Sequence, residues 1–563
     1  MSTPRLSKFA VTFASTVVVI MTVFLSAVAV AQLQIGSGNT ATAVPPLQRP
    51  HTTPCKVQLF SQFKFDNFNA QSFPYAPPAG CPAPWAKVIL EVNLSITKGI
   101  QFDRTANIWI GPTNVYFGTT AEDQPDEGRN WHVERDLTDY SSIFTVTQVG
   151  TVDLGNLVNQ TYTGVLHGSA DVLFYPLAQN EVPPRSADQV IAFSSGPTGG
   201  TVGLGNGSSL LEQTLTLPTN ITSAFLDVFA QSQSNDEFWY ACVPTPVGGE
   251  LQSCTNTAFR ESEITIDGTA AGVAPVYPWI YTGGIDPYLW IPIPGVQTLN
   301  FQPYRVNLTP FASLLDNGQP HTIALSVFNA NNYFSATASL LLYVDSNATQ
   351  FTGAVTENTL AAPVPSIFEN ISIAKNGNLQ GTVNTKSGHN FKISGYLNRS
   401  FGPVTTTVAQ NINFSNLQNF KITSTEYEQN INQNTTVYSN VTTNSPKNNY
   451  VTVINRNWPL LLNITLLVAP DGSLTQTTTS NQYLETDATS RHNGAVTTST
   501  LVQNRVTTTD TLNFNSSGNF TGNSNQSSAQ NFFETNSTGY CYSRDITAAA
   551  NVLASISDGQ GCH

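Results

Sequence analysis

Short apolar runs without helical spacing are the feature that most constrains the fold of this chain. Runs such as Lys87–Val92 recur from residue 55 onward and are separated by Gly, Pro, Asn and Asp. Strands have a side-chain period of two and end at such turn residues, and amphipathic stretches of helical length are almost absent here. The sequence therefore predicts an all-β protein built from β-sandwiches.

Changes in composition divide the chain into three β-rich blocks. A glycine-rich segment at 201–209 predicts a linker between a first block at 55–200 and a second block at 210–350. Asn, Thr, Ser and Gln dominate residues 351–563, but apolar alternation persists there, which predicts a third, glycosylated β-rich domain. Residues 32–54 are small and polar, and they predict a flexible N-terminal segment.

The N-terminus combines a positive flank with a long uncharged apolar run. Arg5 and Lys8 lie at the start, no charge follows up to residue 31, and small-x-small triplets end the run. This pattern predicts a cleaved secretory signal peptide at 1–31, with an uncleaved anchor as the alternative. Either reading places the rest of the chain outside the cytosol, and the expected location is secreted or extracellular, or an acidic vacuole. No stable membrane association is expected after cleavage.

Cysteines and glycosylation sequons agree with that compartment. The six cysteines form three close pairs; although 15 pairings are formally possible, local pairing is favoured in an oxidising environment. We therefore predict the disulfides Cys55–Cys81, Cys242–Cys254 and Cys541–Cys562. The N-x-S/T acceptor pattern occurs at Asn93, Asn159, Asn206, Asn220, Asn307, Asn347, Asn370, Asn398, Asn413, Asn434, Asn440, Asn463, Asn515, Asn519, Asn525 and Asn536.

Charge and motif content exclude several classes of function. A net charge of −13 disfavours a nucleic-acid partner, because phosphate neutralisation requires a basic surface. The chain has no CxxC knuckle, and its histidines lack ligand spacing, so no metal site is expected. Serine-hydrolase, zincin, P-loop and Rossmann motifs are also missing. Acids set among aromatic or basic residues are therefore the candidates for chemistry.

Asp103 is the first such candidate. The adjacent Arg104 would lower the pKa of the carboxylate and keep it ionised. The apolar residues at even positions within 100–110 share one parity, which would place Asp103 on the strand face opposite the core. An ordinary surface ion pair is the alternative interpretation.

A second cluster, residues 236–240, consists of two consecutive acids followed by three aromatic residues. Glu237 next to these rings could have a raised pKa and hold or donate a proton. Trp239 or Tyr240 could stack on a sugar or a peptide. The alternative is a strand whose rings fill the core and whose acids, Asp236 and Glu237, cap a turn.

Three further segments contain candidates of lower priority. Residues 131–140 and 259–263, the latter including Arg260 and Glu261, mix charges in a strand-and-turn context that favours structural salt bridges. The stretch 277–304 is rich in Pro and aromatic residues. It predicts either a carbohydrate platform or packing between domains.

Several of these short sequence motifs, taken in order, resemble motifs of the plant and fungal acidic peptide-N4-(N-acetyl-β-glucosaminyl)asparagine amidases of the A type, the peptide N-glycanase A family. The segments that carry the resemblance are residues 81–90, 98–104, 133–142, 236–240, 259–261 and 281–290. A fainter similarity links Phe102-Asp103-Arg104 to a motif of the bacterial F-type N-glycanases that contains their key catalytic Asp. The resemblance covers roughly residues 55–350 and, more weakly, the region around Cys541.

The resemblance implies a fold and an activity. It implies two jelly-roll-like β-sandwiches side by side, with the active site in the groove between them, plus a C-terminal β-rich domain. The implied activity is that of a secreted glycoamidase that cleaves the amide between N-acetylglucosamine and Asn in an N-glycopeptide or glycoprotein. The N-glycan is released and Asn becomes Asp, without a cofactor. A non-catalytic extracellular carbohydrate-binding protein is the alternative, because a fold does not dictate a function.

The resemblance also implies site residues. Asp103 corresponds to the key catalytic acid of the F-type enzymes. Their second acid is a Glu just before a Phe-Arg pair, but residues 255–258, which precede Phe259-Arg260 here, contain no acid. Glu237 is the best substitute for that second acid, and Glu261 is held in reserve. The candidate substrate-binding residues are Arg104, Asp236, Trp239 and Arg260. Related enzymes are described as two-chain, so a nick between the second and third domains is a further expectation.

Overall fold

The computed structural model describes residues 33–122 and 126–562, and strands dominate them. The all-β prediction is confirmed. The predicted signal peptide at 1–31 lies outside the described residues. Within the described ranges, no helix is both long and apolar enough to cross a membrane.

The first block consists of two four-stranded sheets. Its strands are β1 (Cys55–Phe65), β2 (Gln71–Tyr75), β3 (Trp85–Ile96), β4 (Thr105–Ile110), β5 (Thr113–Thr119), β6 (Arg129–Asp136), β7 (Gln148–Leu154) and β8 (Leu166–Pro176). One sheet has the order β1-β8-β3-β6 and the other β2-β7-β4-β5. Inward side chains of both sheets, such as Val92 and Val152, belong to one buried apolar cluster. The block is therefore a β-sandwich, and its jelly-roll character stays a prediction.

The second block repeats this plan with nine strands. They are β9 (Gln189–Phe193), β10 (Val202–Leu204), β11 (Leu211–Leu215), β12 (Ile221–Gln233), β13 (Glu261–Ile266), β14 (Thr269–Pro275), β15 (Tyr304–Asn307), β16 (His321–Phe328) and β17 (Tyr333–Val344). One sheet has the order β10-β17-β12-β15, with β9 also paired to β17, and the other β11-β16-β13-β14. Its two short α-helices are α1 (Gly248–Leu251) and α2 (Ala312–Leu315).

The third block is a single antiparallel sheet of eleven strands, several of them very long. The strands are β18 (Thr352–Asn358), β19 (Ser366–Ile373), β20 (Leu379–Arg399), β21 (Gly402–Ile422), β22 (Glu426–Asn444), β23 (Asn449–Val468), β24 (Leu474–His492), β25 (Ala495–Phe514), β26 (Phe520–Asn536), β27 (Cys541–Ala549) and β28 (Val552–Asp558). Short 3₁₀ turns complete the chain at Thr138–Thr145, Ser234–Asp236, Trp239–Ala241, Thr245–Val247, Pro287–Trp290 and Thr309–Phe311.

Side-chain amides join the third block to the second. Gln418 donates from Nε2 to the Cys242 carbonyl at 2.9 Å, and Gln482 donates to the Pro278 carbonyl at 2.8 Å. Both glutamines are fully buried. Irregular backbone buried at an interface needs such partners, because an unpaired carbonyl away from water costs free energy. The Asn- and Gln-rich composition of the third block therefore has a structural use.

The aromatic stretch 277–304 packs mainly between these two blocks. Trp290 is buried, Tyr277 meets Trp458 edge-on at 5.4 Å between ring centroids, and Tyr288 stacks on Phe520 at 5.7 Å. Of the two interpretations of this stretch, packing between domains describes most of its rings.

Two segments predicted to be flexible or to link domains make defined contacts. In the 32–54 segment, the Ala43 amide donates to Gln530 Oε1 at 2.7 Å, and the Leu47 amide donates to Glu134 Oε2 at 2.7 Å. Within 201–209, β10 pairs with β17. Composition alone did not anticipate these contacts, because small side chains can also be buried. The domain boundaries themselves stay predictions.

All three predicted disulfides are present. Cys55 is bonded to Cys81, Cys242 to Cys254, and Cys541 to Cys562. Each bridge lies within one block, so the local-pairing prediction is confirmed.

Two carboxyl groups meet where the third block contacts the second. Asp286 and Asp510 are fully buried and share a hydrogen bond. Burial, together with the neighbouring charge of Asp510, raises the pKa of Asp286 to about 8. Asp286 accepts from the Tyr288 amide at 3.0 Å, and Asp510 accepts from Asn523 Nδ2 at 2.8 Å. A shared proton therefore helps to hold the two blocks together.

We expect this pair to make stability fall as pH rises. A carboxyl group with a raised pKa in the folded state stabilises fully below its ordinary value, 3.8, and this contribution is lost as pH rises through about 8. The thermal midpoint of Asp286→Asn should therefore depend less on pH across that window than the midpoint of the intact protein. Glu369→Gln, at an exposed position, is the matched control. Equal pH dependence in Asp286→Asn and the intact protein would contradict the shared-proton account.

Candidate active site

Two acids from different blocks, Asp103 and Glu237, lie near one another where the first block contacts the second, a place called the groove below. Asp103 lies in the connection between β3 and β4, and its carboxylate accepts a hydrogen bond from the Gly283 amide of the second block. Glu237 directly follows the 3₁₀ turn Ser234–Asp236 at the end of β12. The charge of Asp103 acts on Glu237, which shows that the structure brings the two predicted acids together.

A third carboxylate, Glu122, belongs to the same cluster. A Cβ added at Gly283 would overlap the Asp103 carboxylate and would lie 3.4 Å from Glu122 Oε2. Both acids therefore converge above Gly283, and only glycine leaves room for them. Sequence reasoning missed Glu122, although the acidic run that begins there, just after β5, was an available signal.

The electrostatics of the pair differ from the expectation for Asp103. Burial raises the pKa of Asp103, and it outweighs the opposing effects of the Gly283 amide and Arg104. The expected net lowering by Arg104 is therefore wrong in direction. Burial, with a further contribution from Asp103, raises the pKa of Glu237 to about 7, as its aromatic surroundings predicted. Like charges held close in low dielectric favour one shared proton.

Asp103 lies in a loop and not on a strand face. The parity pattern of 100–110 fails because β4 begins only at Thr105, and Ile100 and Phe102 are 51% and 54% exposed. Gly99, with φ of +149°, turns the chain just before them, and a side chain there would overlap Thr163. The loop lets the carboxylate reach the second block.

Arg104 lies beside the acids without pairing directly to them. Its Nη2 donates to Gln101 Oε1 at 2.9 Å, and its guanidinium lies 5.8 Å from the centre of the Phe102 ring. Phe102 in turn contacts Tyr162 at 5.1 Å between ring centroids. Arg104 therefore lies in a half-exposed aromatic setting at the groove, where it remains a candidate for substrate binding.

Hydroxyl and amide groups connect the two blocks at the site. Thr105 Oγ1 accepts from Gln233 Nε2 at 3.1 Å and from Gln231 Nε2 at 3.3 Å. Thr282 Oγ1 of the second block donates to the Thr120 carbonyl of the first at 2.6 Å, and within the second block Tyr281 donates its hydroxyl to the Ser232 carbonyl. Burial raises the pKa of Tyr281, and the charges of Glu237 and Asp103 contribute. These bonds fix the relative position of the two acids.

Asp236 and Arg260 form a buried ion pair away from solvent. Arg260 Nε donates to Asp236 Oδ1 at 2.9 Å, and both side chains are 0% exposed. The other oxygen of Asp236 accepts from the Asn331 and Tyr333 amides at 2.8 and 3.1 Å. The pair fixes the chain on which Glu237 lies, and neither side chain offers a surface to substrate.

Trp239 and Glu261 also lie outside the groove. Trp239 is 1% exposed and packs on Phe414 of the third block at 6.2 Å between ring centroids. Glu261 is buried and bonds His389 Nε2 at 2.7 Å, also in the third block. Burial raises the pKa of Glu261. Contacts to the third block, which sequence spacing cannot reveal, account for both placements, so neither residue joins Asp103 and Glu237.

One group of three ligand-type side chains occurs in the described ranges: Glu91, His132 and Glu134. Arg49 Nη2 already lies 2.7 Å from Glu91 Oε1 and 2.5 Å from Glu134 Oε1. The guanidinium supplies the positive charge that these carboxylates need. The cluster is therefore an ion-pair network that fastens the N-terminal segment.

Comparisons with known proteins place this sequence in a family. The family model described as "Peptide N-acetyl-beta-D-glucosaminyl asparaginase amidase A" matches residues 44–361, which contain Asp103, Glu122 and Glu237. A curated relative from Prunus dulcis, "Peptide-N4-(N-acetyl-beta-glucosaminyl)asparagine amidase A", is 29% identical over 392 residues, covering 66% of this chain and 67% of the relative.

Solved structures give more distant similarities. Recombinant N-glycanase F (PNGase F) has a TM-score of 0.36 at 14% identity, covering 52% of this chain and 96% of that one. PNGF-II has a TM-score of 0.36 at 12% identity, covering 52% of this chain and 66% of that one.

The chain is an all-β amide hydrolase. It belongs to the peptide N-acetyl-β-D-glucosaminyl asparaginase amidase A family, because that family's model matches more than half of its residues.

Proposed function

We propose that this protein hydrolyses the amide that joins N-acetylglucosamine to Asn in N-glycopeptides. The glycan leaves as a glycosylamine and Asn becomes Asp. The observation that carries the proposal is the pair of acids, Asp103 and Glu237, held close together from two blocks at one groove. The match of the amidase A family to the same residues supports the choice of substrate.

The two acids have different roles in this proposal. Amide hydrolysis needs an activated water and a proton for the leaving nitrogen. The Gly283 amide and Arg104 favour the ionised form of Asp103. Nothing comparable lowers the pKa of Glu237, which burial and the nearby negative charge raise to about 7. The shared proton therefore belongs on Glu237, and Asp103 is the base.

The proton transfers balance in this assignment. Asp103 accepts a proton from water as the water oxygen bonds to the amide carbon. Glu237 donates its proton to the nitrogen as the C–N bond breaks. The new side-chain carboxylic acid and the amine leave, and the proton held by Asp103 passes to Glu237, which returns both groups to their starting states. No metal is required, since the two acids perform both transfers.

Glu237→Gln is expected to lower the hydrolysis rate by about 10²–10⁴-fold, the usual contribution of a positioned acid. The intact protein should lose activity as pH rises through about 7, because Glu237 then gives up the proton it must donate. This alkaline limb should be missing from the residual activity of the variant. Rate against pH, measured on glycopeptide, gives both results. Glu250→Gln, at an exposed position within the Cys242–Cys254 loop, is the control, and an unchanged limb in Glu237→Gln would refute the assignment.

A non-catalytic carbohydrate-binding role is the second candidate. Incubation of a defined glycopeptide with the protein separates the two, because only the amidase converts Asn to Asp at the former glycosylation site. Mass spectrometry of the peptide detects the conversion. Binding of the glycopeptide without conversion would favour the second candidate and reject the first.

Secretion is also part of the proposal. Three disulfides support an oxidising compartment, and sequon residues such as Asn93, Asn370 and Asn413 are exposed. N-terminal sequencing of the protein from the culture medium should find the apolar run removed, and an intact Met1 would contradict it. The predicted two-chain form remains a proposal. Because each bridge lies within one block, a nick between the second and third blocks would leave fragments that separate without reductant.

A further inference from the structure

The strand β19 at one edge of the third block exposes a phenylalanine. Phe368 is 64% exposed. Ile371, on the other face of the strand, packs on a buried cluster that includes Leu251 of the second block and Val383 of β20. Because alternate residues of a strand project to opposite faces, the Phe368 ring faces away from the second block.

The outer edge of β19 is also open. Among the strands that the structure describes, β19 pairs only with β20. Glu369 is its single charged residue, so charge does little to protect it. An apolar side chain on an unpaired strand edge favours association between chains, and proteins usually cover or block such edges. The surface around Phe368 therefore requires a cover.

A glycan acceptor lies beside this ring. Asn370 begins the sequon Asn370-Ile371-Ser372 and is exposed. Residues two apart in a strand project from the same face, and at about 3.3 Å per residue their attachment points are about 7 Å apart. A sugar linked to the Asn370 amide nitrogen is therefore within reach of the Phe368 ring.

Two further strands of the same sheet repeat the arrangement. Tyr438 precedes the sequon residue Asn440 by two positions on β22, and Leu461 precedes Asn463 by two positions on β23. Tyr438 and Leu461 are 46% and 40% exposed, and the alternate residues around them are buried. On three strands, an exposed apolar side chain thus has a glycan acceptor on the same face.

We infer that N-glycans on Asn370, Asn440 and Asn463 are packed parts of the third block, the first N-acetylglucosamine of each lying on the apolar side chain two residues earlier. The inference rests on the proposed secretion, because N-glycans are added along the secretory route. A pyranose has an apolar C–H face that packs on such side chains, while its hydroxyl groups stay in water. At β19 the bulk of the glycan also blocks the open edge, which excludes a pairing strand as the occupant.

The first test is protection of the glycans from an endoglycosidase that cuts after the first N-acetylglucosamine. The full chain is secreted from a eukaryotic host that makes oligomannose glycans, and peptide mass spectrometry follows trimming at each Asn. Phe368→Ser should speed trimming at Asn370 by about 2- to 10-fold, the usual effect of losing one aromatic contact. Phe368→Tyr keeps the ring and should not. The glycan at Asn525 is the internal control, because the polar Asn523 lies two residues before it.

The neighbouring strands extend this test. Tyr438→Ser should speed trimming at Asn440, and Leu461→Ser should speed it at Asn463. Each variant should leave the other glycan unchanged, so each serves as a control for the other.

The second test removes one glycan and keeps the side chain of its Asn. Ser372→Ala destroys the sequon at Asn370 through loss of one exposed hydroxyl, and in sedimentation velocity the variant should self-associate as its concentration rises. Phe368→Ser in the same chain should reverse that association. Ser527→Ala destroys the sequon at Asn525, also at an exposed serine, and as the matched control it should stay monomeric.

The remaining outcomes would overturn the inference. Equal trimming rates in Phe368→Ser and the intact protein would contradict the packed glycan, and a monomeric Ser372→Ala protein would contradict the covered edge. Conversion of Asn370 to an aspartate in the secreted protein would show that its glycan is removed. Glycans at other sequons with none at Asn370 would reject the inference alone, whereas their absence at every sequon would reject it together with the proposed secretion.

Discussion

Asp103→Asn is expected to lower the rate of glycopeptide hydrolysis by about 10²–10⁴-fold, because it removes the base and keeps the size of the side chain. The fold should be unaffected or slightly stabilised. Burial already disfavours the charged form of Asp103, and the oxygen of Asn can still accept from the Gly283 amide. Rate and thermal midpoint measured on one preparation give both quantities.

The control for this variant is Asp66→Asn. Asp66 is a partly exposed acid in the same block and pairs with Lys64 at 2.7 Å. Its loss should change neither rate nor midpoint, as for most surface ion pairs. A folded Asp103→Asn protein with full activity would refute the assignment of the base and would leave Glu122 as the alternative at the same position above Gly283.

Asp236→Ala is expected to destabilise the protein by about 3–5 kcal/mol, the cost of leaving one member of a buried ion pair alone. Arg260 is 0% exposed, and the Asn331 and Tyr333 amides would also lose their acceptor. Urea denaturation followed by tryptophan fluorescence measures the loss. The variant should therefore show a lower free energy of unfolding, and not only a lower rate of hydrolysis.

A second variant distinguishes the buried charge from the lost packing. Asp236→Ala combined with Arg260→Met removes the uncompensated charge, and it should recover part of the lost stability. Asp558→Asn, which weakens the exposed pair with Arg544, is the surface control. A loss in Asp236→Ala as small as in this control would contradict a structural role for the buried pair.

Local patterns in the sequence were sufficient for the strands and the disulfides. Alternation predicted the all-β class, and cysteine spacing predicted Cys242–Cys254 and its two counterparts. Aromatic neighbours predicted the raised pKa of Glu237. Each of these features depends on residues close together in the chain, where spacing determines geometry.

The remaining features depend on contacts between distant segments. Glu122 reaches Asp103 only because Gly283 of the second block leaves space for both. Trp239 is buried because Phe414 of the third block packs on it. The pKa of Asp103 rises because burial removes water from its carboxylate, an effect that outweighs Arg104. Spacing along one strand carries no information about such burial.

The central claim is that the side-chain amide C–N bond of the glycosylated Asn breaks, and isotope labelling tests which bond is cleaved. A glycopeptide is hydrolysed in water enriched in the heavy oxygen isotope, and both products are analysed by mass spectrometry. Amide hydrolysis by Asp103 and Glu237 predicts one heavy oxygen in the side chain of the new Asp and none in the glycosylamine as it is released. Heavy oxygen in the released sugar with unlabelled Asn in the peptide would show cleavage at the sugar carbon, and it would contradict the account.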